Sequence, residues 1–184
     1  RFAYQLIIWS VCHKAKRILA VSENTKNDIV KLLHVNPKKI QVVYEGVADH
    51  FSTPPTDIQR AEVAKKYTLV KPFLLYVGVW RDHKNVLGLL RTFQKLVTEH
   101  GLDIELVITG RRDPVYHEVE DTIHELGIEN RVRLVGLVPE EDLRTIYYLA
   151  HLFVFPSFYE GFGIPPLEAM TTGLAVASSN TSCM

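Results

Sequence analysis

Cysteine is nearly absent from this sequence of 184 residues: Cys12 and Cys183 are its only two, near opposite ends, and no Cys-x-x-Cys pair occurs. No cysteine ladder staples a small secreted fold, so a reducing, cytosolic compartment is the expectation. Net charge is absent as well, because 21 Lys and Arg balance 21 Asp and Glu. A nucleic-acid-binding domain needs a surplus of Lys and Arg on one face, so no nucleic-acid partner is expected. Long hydrophobic runs are missing. The stretch Phe2-Ala3-Tyr4-Gln5-Leu6-Ile7-Ile8-Trp9 is well short of the ~20 residues that span a bilayer, and lacks the basic start and cleavage site of a signal peptide. The eight histidines are scattered singly, without His-Glu-x-x-His or a cysteine at zinc-ligand spacing, so no metal is expected.

What is present is an ordinary globular composition. Hydrophobic residues make up 47% of the chain, which excludes intrinsic disorder, and the length suits about one domain. The chain nevertheless opens at Arg1 without an initiator Met and runs at once into residues that read as the inside of a packed helix. It also stops soon after the apolar run Leu174-Ala175-Val176-Ala177, where further helices are expected. A piece of a longer protein is the expectation.

From Lys71 onward, short apolar runs alternate with helix-length segments. Phe73-Leu74-Leu75-Tyr76-Val77 ends in Gly78, and residues 85–100 then repeat Leu89, Leu90, Phe93, Leu96 and Val97 at helical spacing. Ile104-Glu105-Leu106-Val107-Ile108 ends at Thr109-Gly110, Val132-Arg133-Leu134-Val135 at Gly136, and Leu152-Phe153-Val154-Phe155 at Pro156-Ser157. Strands without polar alternation, each followed by a helix, imply a parallel sheet covered on both faces. The fold class is α/β, a doubly wound parallel sheet of Rossmann-like type. Residues 1–47 hold a smaller βαβ portion, with Ser22 capping a helix to Leu33 between strands at 17–21 and 40–44. Residues 48–70, with Pro54-Pro55, read as a linker and domain entry, and 71–184 as the second domain.

Ligands of open parallel sheets bind at the carboxyl ends of the strands. That singles out Gly78 to Asn85, Thr109-Gly110-Arg111-Arg112, Gly136 and Ser157 to Gly163, where glycine lets a ligand approach the backbone. In Glu160-Gly161-Phe162-Gly163-Ile164-Pro165-Pro166-Leu167-Glu168, two glycines precede a helix start and two carboxylates flank it. Backbone N–H groups and the helix end suit a diphosphate, while carboxylates suit sugar hydroxyls. Lys84 and Arg81 are cations in the neighbouring strand-end loop. Plain turn chemistry at the glycines, a helix-dipole role for the glutamates and solvated loop charges at Lys84 and Arg81 are the bland alternatives. Trp80 suits packing or a lid equally. There is no Gly-x-Gly-x-x-Gly and no Gly-Lys-Ser/Thr phosphate loop, which removes the main support for dinucleotide and ATP-hydrolysis readings.

Taken together, Val21-Ser22, Glu45-Gly46-Val47, Tyr76-Val77-Gly78, His83-Lys84-Asn85, Val107-Ile108-Thr109-Gly110, Val135-Gly136 and above all the segment from Glu160 to Met170 resemble the group 1 glycosyltransferases. The resemblance implies a GT-B type fold and a retaining transferase, present here as a tail of the acceptor domain and most of the donor domain. It implies that Glu168 holds the donor ribose, Glu160 contacts the donor sugar near the reacting carbon, and Lys84 neutralises the diphosphate. The Gly161, Phe162 and Gly163 backbone would assist, and Val135 and Gly136 would lie against the base. Arg81 stands in for an arginine that relatives carry where this chain has Val79, and Glu45 replaces an asparagine. The donor implied is GDP-mannose or UDP-glucose and the acceptor a glycan or lipid-linked sugar, with no cofactor or metal. Peripheral membrane contact would run through the remainder of the acceptor domain. The residues leave room for an inactive nucleotide-sugar-binding module, or an epimerase or phosphorylase of the same architecture. The fragment alone is expected to keep donor residues without an assembled active site.

Overall fold

The structure, a computed structural model, describes residues 2–111 and 117–184, Phe2 by its backbone only. Arg112, among the strand-end residues of interest, lies outside the described residues. The chain divides into two compact units, one of Arg1–Gly46, Tyr159–Gly163 and Asn180–Met184, the other of Val47–Phe158 and Ile164–Ser179.

In the first unit α1 (Phe2–Lys14) leads into β1 (Ile18–Ala20), α2 (Glu23–Leu33) and β2 (Ile40–Val42), and the two strands pair in parallel with Ile18 opposite Ile40. Ser22 starts α2, its Oγ accepting from Thr25 N at 3.1 Å, which satisfies a backbone donor left over at the helix start. Ala20, Val35 and Ile40 are buried beneath Ile29, Val30 and Leu33. The expectation of a packed first helix is met only in part. α1 forms, with Cys12 packed against the core, yet Tyr4, Leu6, Ile7, Trp9 and Val11 are exposed.

The second unit holds five parallel strands, β3 (Phe73–Val77), β4 (Glu105–Thr109), β5 (Val132–Gly136), β6 (Leu152–Phe155) and β7 (Val176–Ser178), in the order β5-β4-β3-β6-β7. Helices α4 (Val86–Thr98), α5 (Glu118–Glu125), α6 (Glu140–Leu149) and α7 (Ile164–Thr171) alternate with them, the doubly wound arrangement expected. Central β3 and β4 are buried almost throughout, which explains their continuous apolar sequences. Glu105 is the charged exception on β4. It is buried, and Arg133 on β5 donates to its two carboxylate oxygens from Nε at 2.5 Å and Nη2 at 2.8 Å. A forked pair of this kind offsets the desolvation that an unpaired buried carboxylate would suffer.

α4 turns Val86, Leu89, Leu90 and Phe93 into the core at helical spacing. Phe93 is fully buried, so Phe93→Ala is expected to lower the unfolding free energy by about 3–5 kcal/mol. The denaturation midpoint checks this.

Two elements differ from the sequence expectation. Residues 48–70 contain a turn of 3₁₀ helix (Asp49–Ser52) and a further helix, α3 (Asp57–Lys66), opened by a reciprocal cap between Thr56 and Gln59. α3 buries only Val63, so it carries no apolar period. It is tied to α6 instead by Lys66 Nζ at 2.6 Å and Tyr67 OH at 2.8 Å from Asp142 Oδ2. These contacts hold the Asp142 carboxyl below its ordinary value, with the Lys66 hydrogen bond the largest cause. The last strand begins at Val176 rather than Leu174. Gly173, at φ 81°, closes α7, and Leu174 N bonds back to Ala169 O at 3.1 Å, which uses those residues in the helix end. Among the described residues no helix is long and apolar enough to cross a membrane.

Candidate functional site

The second unit's strand order reverses direction between β3 and β6, which pair with Leu74 opposite Leu152. At such a reversal the following helices go to opposite faces, and a crevice opens beyond the carboxyl ends of the two strands. From β3 the chain runs through Gly78, Trp80 and Arg81 into a 3₁₀ turn (Asp82–Lys84); from β6 it runs through Pro156, Ser157 and Phe158. The two loops are stitched together. Phe158 N donates to His83 O at 2.8 Å and Asn85 Nδ2 to Pro156 O at 3.2 Å. Asn85 adopts a left-handed φ of 55°, and its side chain lies where a Cβ on Gly88 would come within 2.3 Å of Oδ1. Lys84 is half-buried, its Nζ 5.5 Å from the centre of the Phe155 ring, a cation against an aromatic face. Arg81 is exposed.

The glycines at the carboxyl ends of β3, β4 and β5 are linked by hydrogen bonds. Gly78 N donates to Thr109 O at 3.0 Å, Gly110 N to Gly136 O at 2.9 Å, and Thr109 Oγ1 to the same Gly136 O at 2.8 Å. Gly110 has φ 129°, and a Cβ there would stand 2.1 Å from Gly78 O, so no other residue fits. Val135 is half-buried on β5 just before Gly136. Trp80 is buried, and its Nε1 has no hydrogen-bond partner among the described residues.

Glu168 belongs to the same unit, as the fifth residue of α7. Tyr147 OH donates to its Oε2 at 2.8 Å. Burial lifts the Glu168 carboxyl above its ordinary value; the Tyr147 hydrogen bond lowers it, the charge of Glu140 raises it and that of His50 lowers it. The helix end is a weaker anion site than the sequence suggests. Of its first four residues, Ile164 to Leu167, Pro165 and Pro166 have no backbone N–H, so half of the donors that a helix start offers are missing.

Glu160, Gly161, Phe162 and Gly163 group with the first unit. Gly161 O accepts from Ser22 Oγ at 2.7 Å and from Thr25 Oγ1 at 3.2 Å, both at the start of α2. Tyr159 OH donates to Asp28 on the same helix, a contact that pushes the phenol up to about 12. Glu160 is half-buried; its N–H donates to Ser182 Oγ at 2.9 Å and its carbonyl accepts from Cys183 Sγ at 3.3 Å. Phe162 lies 6.1 Å from the Tyr44 ring, and Gly163 takes φ 97°. The sequence residues thus fall into two sets: Lys84, Arg81, Gly78, Gly110, Val135, Gly136 and Glu168 in one unit, and Glu160 to Gly163 in the other. Asn85 closes the Gly78 to Asn85 loop that the strand-end rule marks. Tyr147 was not singled out, and it carries no local signal. Among the described residues no group of three or more His, Cys, Asp or Glu is placed to hold a metal ion.

Residues 58–184, more than half of the chain, match the family described as Glycosyl transferases group 1, and the chain belongs to that family. It is 34% identical over 175 residues to O-antigen chain mannosyltransferase B of Escherichia coli, covering 92% of this chain and 45% of that protein. It is 28% identical over 167 residues to O-antigen chain mannosyltransferase RfbU of Salmonella typhimurium, covering 91% and 43%. Among solved structures, Alr3699/HepE of Anabaena in complex with UDP and glucose superposes with a TM-score of 0.84 at 16% identity, over 100% of this chain and 50% of that one. The chain therefore spans about half the length of the relatives it matches.

Proposed function

We propose that the protein transfers a hexose, with retention of anomeric configuration, from a nucleoside diphosphate sugar to a glycan or lipid-linked acceptor. The observation that supports this best is the reversal of strand order between β3 and β6, where half-buried Lys84 supplies a cation beyond the carboxyl end of β3. Within a group 1 glycosyl transferase, that is a setting for a sugar diphosphate. Mannosyltransferase names among the relatives favour GDP-mannose as donor, and the UDP and glucose in the Anabaena structure make UDP-glucose the second choice.

In this reading Glu168 accepts the ribose hydroxyls, Gly78, Gly110, Val135 and Gly136 shape the nucleotide end, and Lys84, aided by Arg81, draws charge from the departing diphosphate without a metal ion. The bond from the sugar C1 to the diphosphate oxygen breaks as the acceptor oxygen bonds from the same face, and the acceptor proton passes to the departing phosphate. Glu160 stabilises the positive charge that develops on the sugar, with the Gly161, Phe162 and Gly163 backbone alongside. The protein works in the cytoplasm, with peripheral contact at the membrane where the acceptor is lipid-linked. Residues 1–184 alone hold the donor without turning it over.

Full-length protein incubated with GDP-mannose and a mannoside acceptor is expected to release GDP and form an α-linked product, followed by NMR of the anomeric proton. A β-linked product contradicts the retaining mechanism, and binding without any transfer contradicts the assignment as an enzyme.

A further inference from the structure

Tyr147 has no place in the mechanism above, yet it is fully buried and built in firmly. Its ring meets Phe51 edge-on at 5.8 Å and 76°, and lies 5.6 Å from Phe153 on β6. The hydroxyl is 2.8 Å from Glu168 Oε2 and 3.4 Å from Pro165 O, so its one proton goes to the carboxylate. Burial, the largest cause, and the neighbouring Glu168 charge push the phenol far above its ordinary value, which keeps it a donor at any working pH. Glu168 itself is half-buried, and its carboxyl also feels the charges of His50 and Glu140, whose Nε2 and Oε1 are 3.1 Å apart.

The consequence concerns the other carboxylate oxygen. A glutamate on an exposed helix face samples several rotamers and loses that freedom on binding a ligand. Here the phenol's hydrogen bond to Oε2 restrains the carboxylate beforehand, and a preorganised acceptor discriminates most sharply against a ligand that lacks the matching hydroxyl. We propose that Tyr147 is a positioning residue which holds Glu168 so that Oε1 meets the ribose hydroxyls, and that the pair makes the protein select ribonucleotide donors over 2′-deoxyribonucleotide donors. The inference rests on the reading of Glu168 as the ribose ligand.

Calorimetric titration of full-length protein with GDP and 2′-deoxy-GDP, with UDP and 2′-deoxy-UDP in parallel, tests it. Wild type is expected to prefer the ribonucleotide by roughly tenfold or more. Tyr147→Phe should cut that preference to about threefold or less by weakening the ribonucleotide alone, and Glu168→Gln should do the same. A Tyr147→Phe protein that keeps the preference while Glu168→Gln loses it overturns the role of Tyr147. So does equal weakening of both nucleotides, the mark of a merely structural residue. A preference that Glu168→Gln leaves intact, or that wild type lacks, shows instead that the ribose assignment fails, and the inference falls with it. Should Tyr147→Phe not melt cooperatively, Phe51→Leu slackens the ring's seat with the hydroxyl in place. A severalfold lower preference is then expected, and an unchanged one counts against the proposal.

Discussion

Glu160→Ala is expected to leave full-length protein binding its nucleotide while transfer all but stops: kcat falls by about 10²–10³-fold and the nucleoside diphosphate Kd stays within about twofold. The separation follows from how the loop is held. Main-chain bonds fix Glu160 on both sides, its N–H to Ser182 Oγ and its carbonyl from Cys183 Sγ, and the next residue, Gly161, is held through its carbonyl by Ser22 and Thr25. In the role proposed for Glu160, removing the carboxylate therefore takes away its charge without releasing the backbone. Loss confined to kcat is the signature of an interaction made in the transition state. A Kd that rises in step with the fall in kcat assigns Glu160 to ground-state binding instead.

Lys84→Ala should lower kcat/KM by about 10²–10³-fold, and here nucleotide affinity falls too, by roughly tenfold, because the diphosphate is charged before as well as after the sugar leaves. The contrast with Arg81 is the informative part. Lys84 is half-buried against Phe155 at the β3–β6 crevice, where partial loss of water strengthens a charge pair, whereas Arg81 is exposed to screening. Arg81→Ala is expected to cost less than about fivefold in kcat/KM. Steady-state kinetics on the two variants decides, and equal losses remove the special standing of Lys84.

Much of this second unit was legible in the sequence because its central strands β3 and β4 are buried almost throughout and are each followed by glycine. Phe73 to Val77, Leu152 to Phe155 and the runs between them show no polar alternation, so their number and the loops that follow could be read directly. Their lateral order could not, because the pairing of β3 with β6 joins residues 78 positions apart, Leu74 and Leu152. That pairing is what puts His83 and Asn85 beside Phe158 and Pro156. α3 escaped because it buries a single side chain, although Thr56 and Gln59 spell a capping box that marks its start. The two prolines of α7 were plain in the sequence, and what they remove from the helix start is a matter of counting N–H groups. Tyr147 was out of reach: nothing local ties a tyrosine on one helix to a glutamate 21 residues on.

The central claim is that the chain carries a site for a nucleoside diphosphate sugar, and titration of GDP-mannose and UDP-glucose into residues 1–184 and into full-length protein tests it most directly. The expected result is saturable binding of at least one donor to both, with GDP-mannose the tighter. Full-length protein that binds neither contradicts the account.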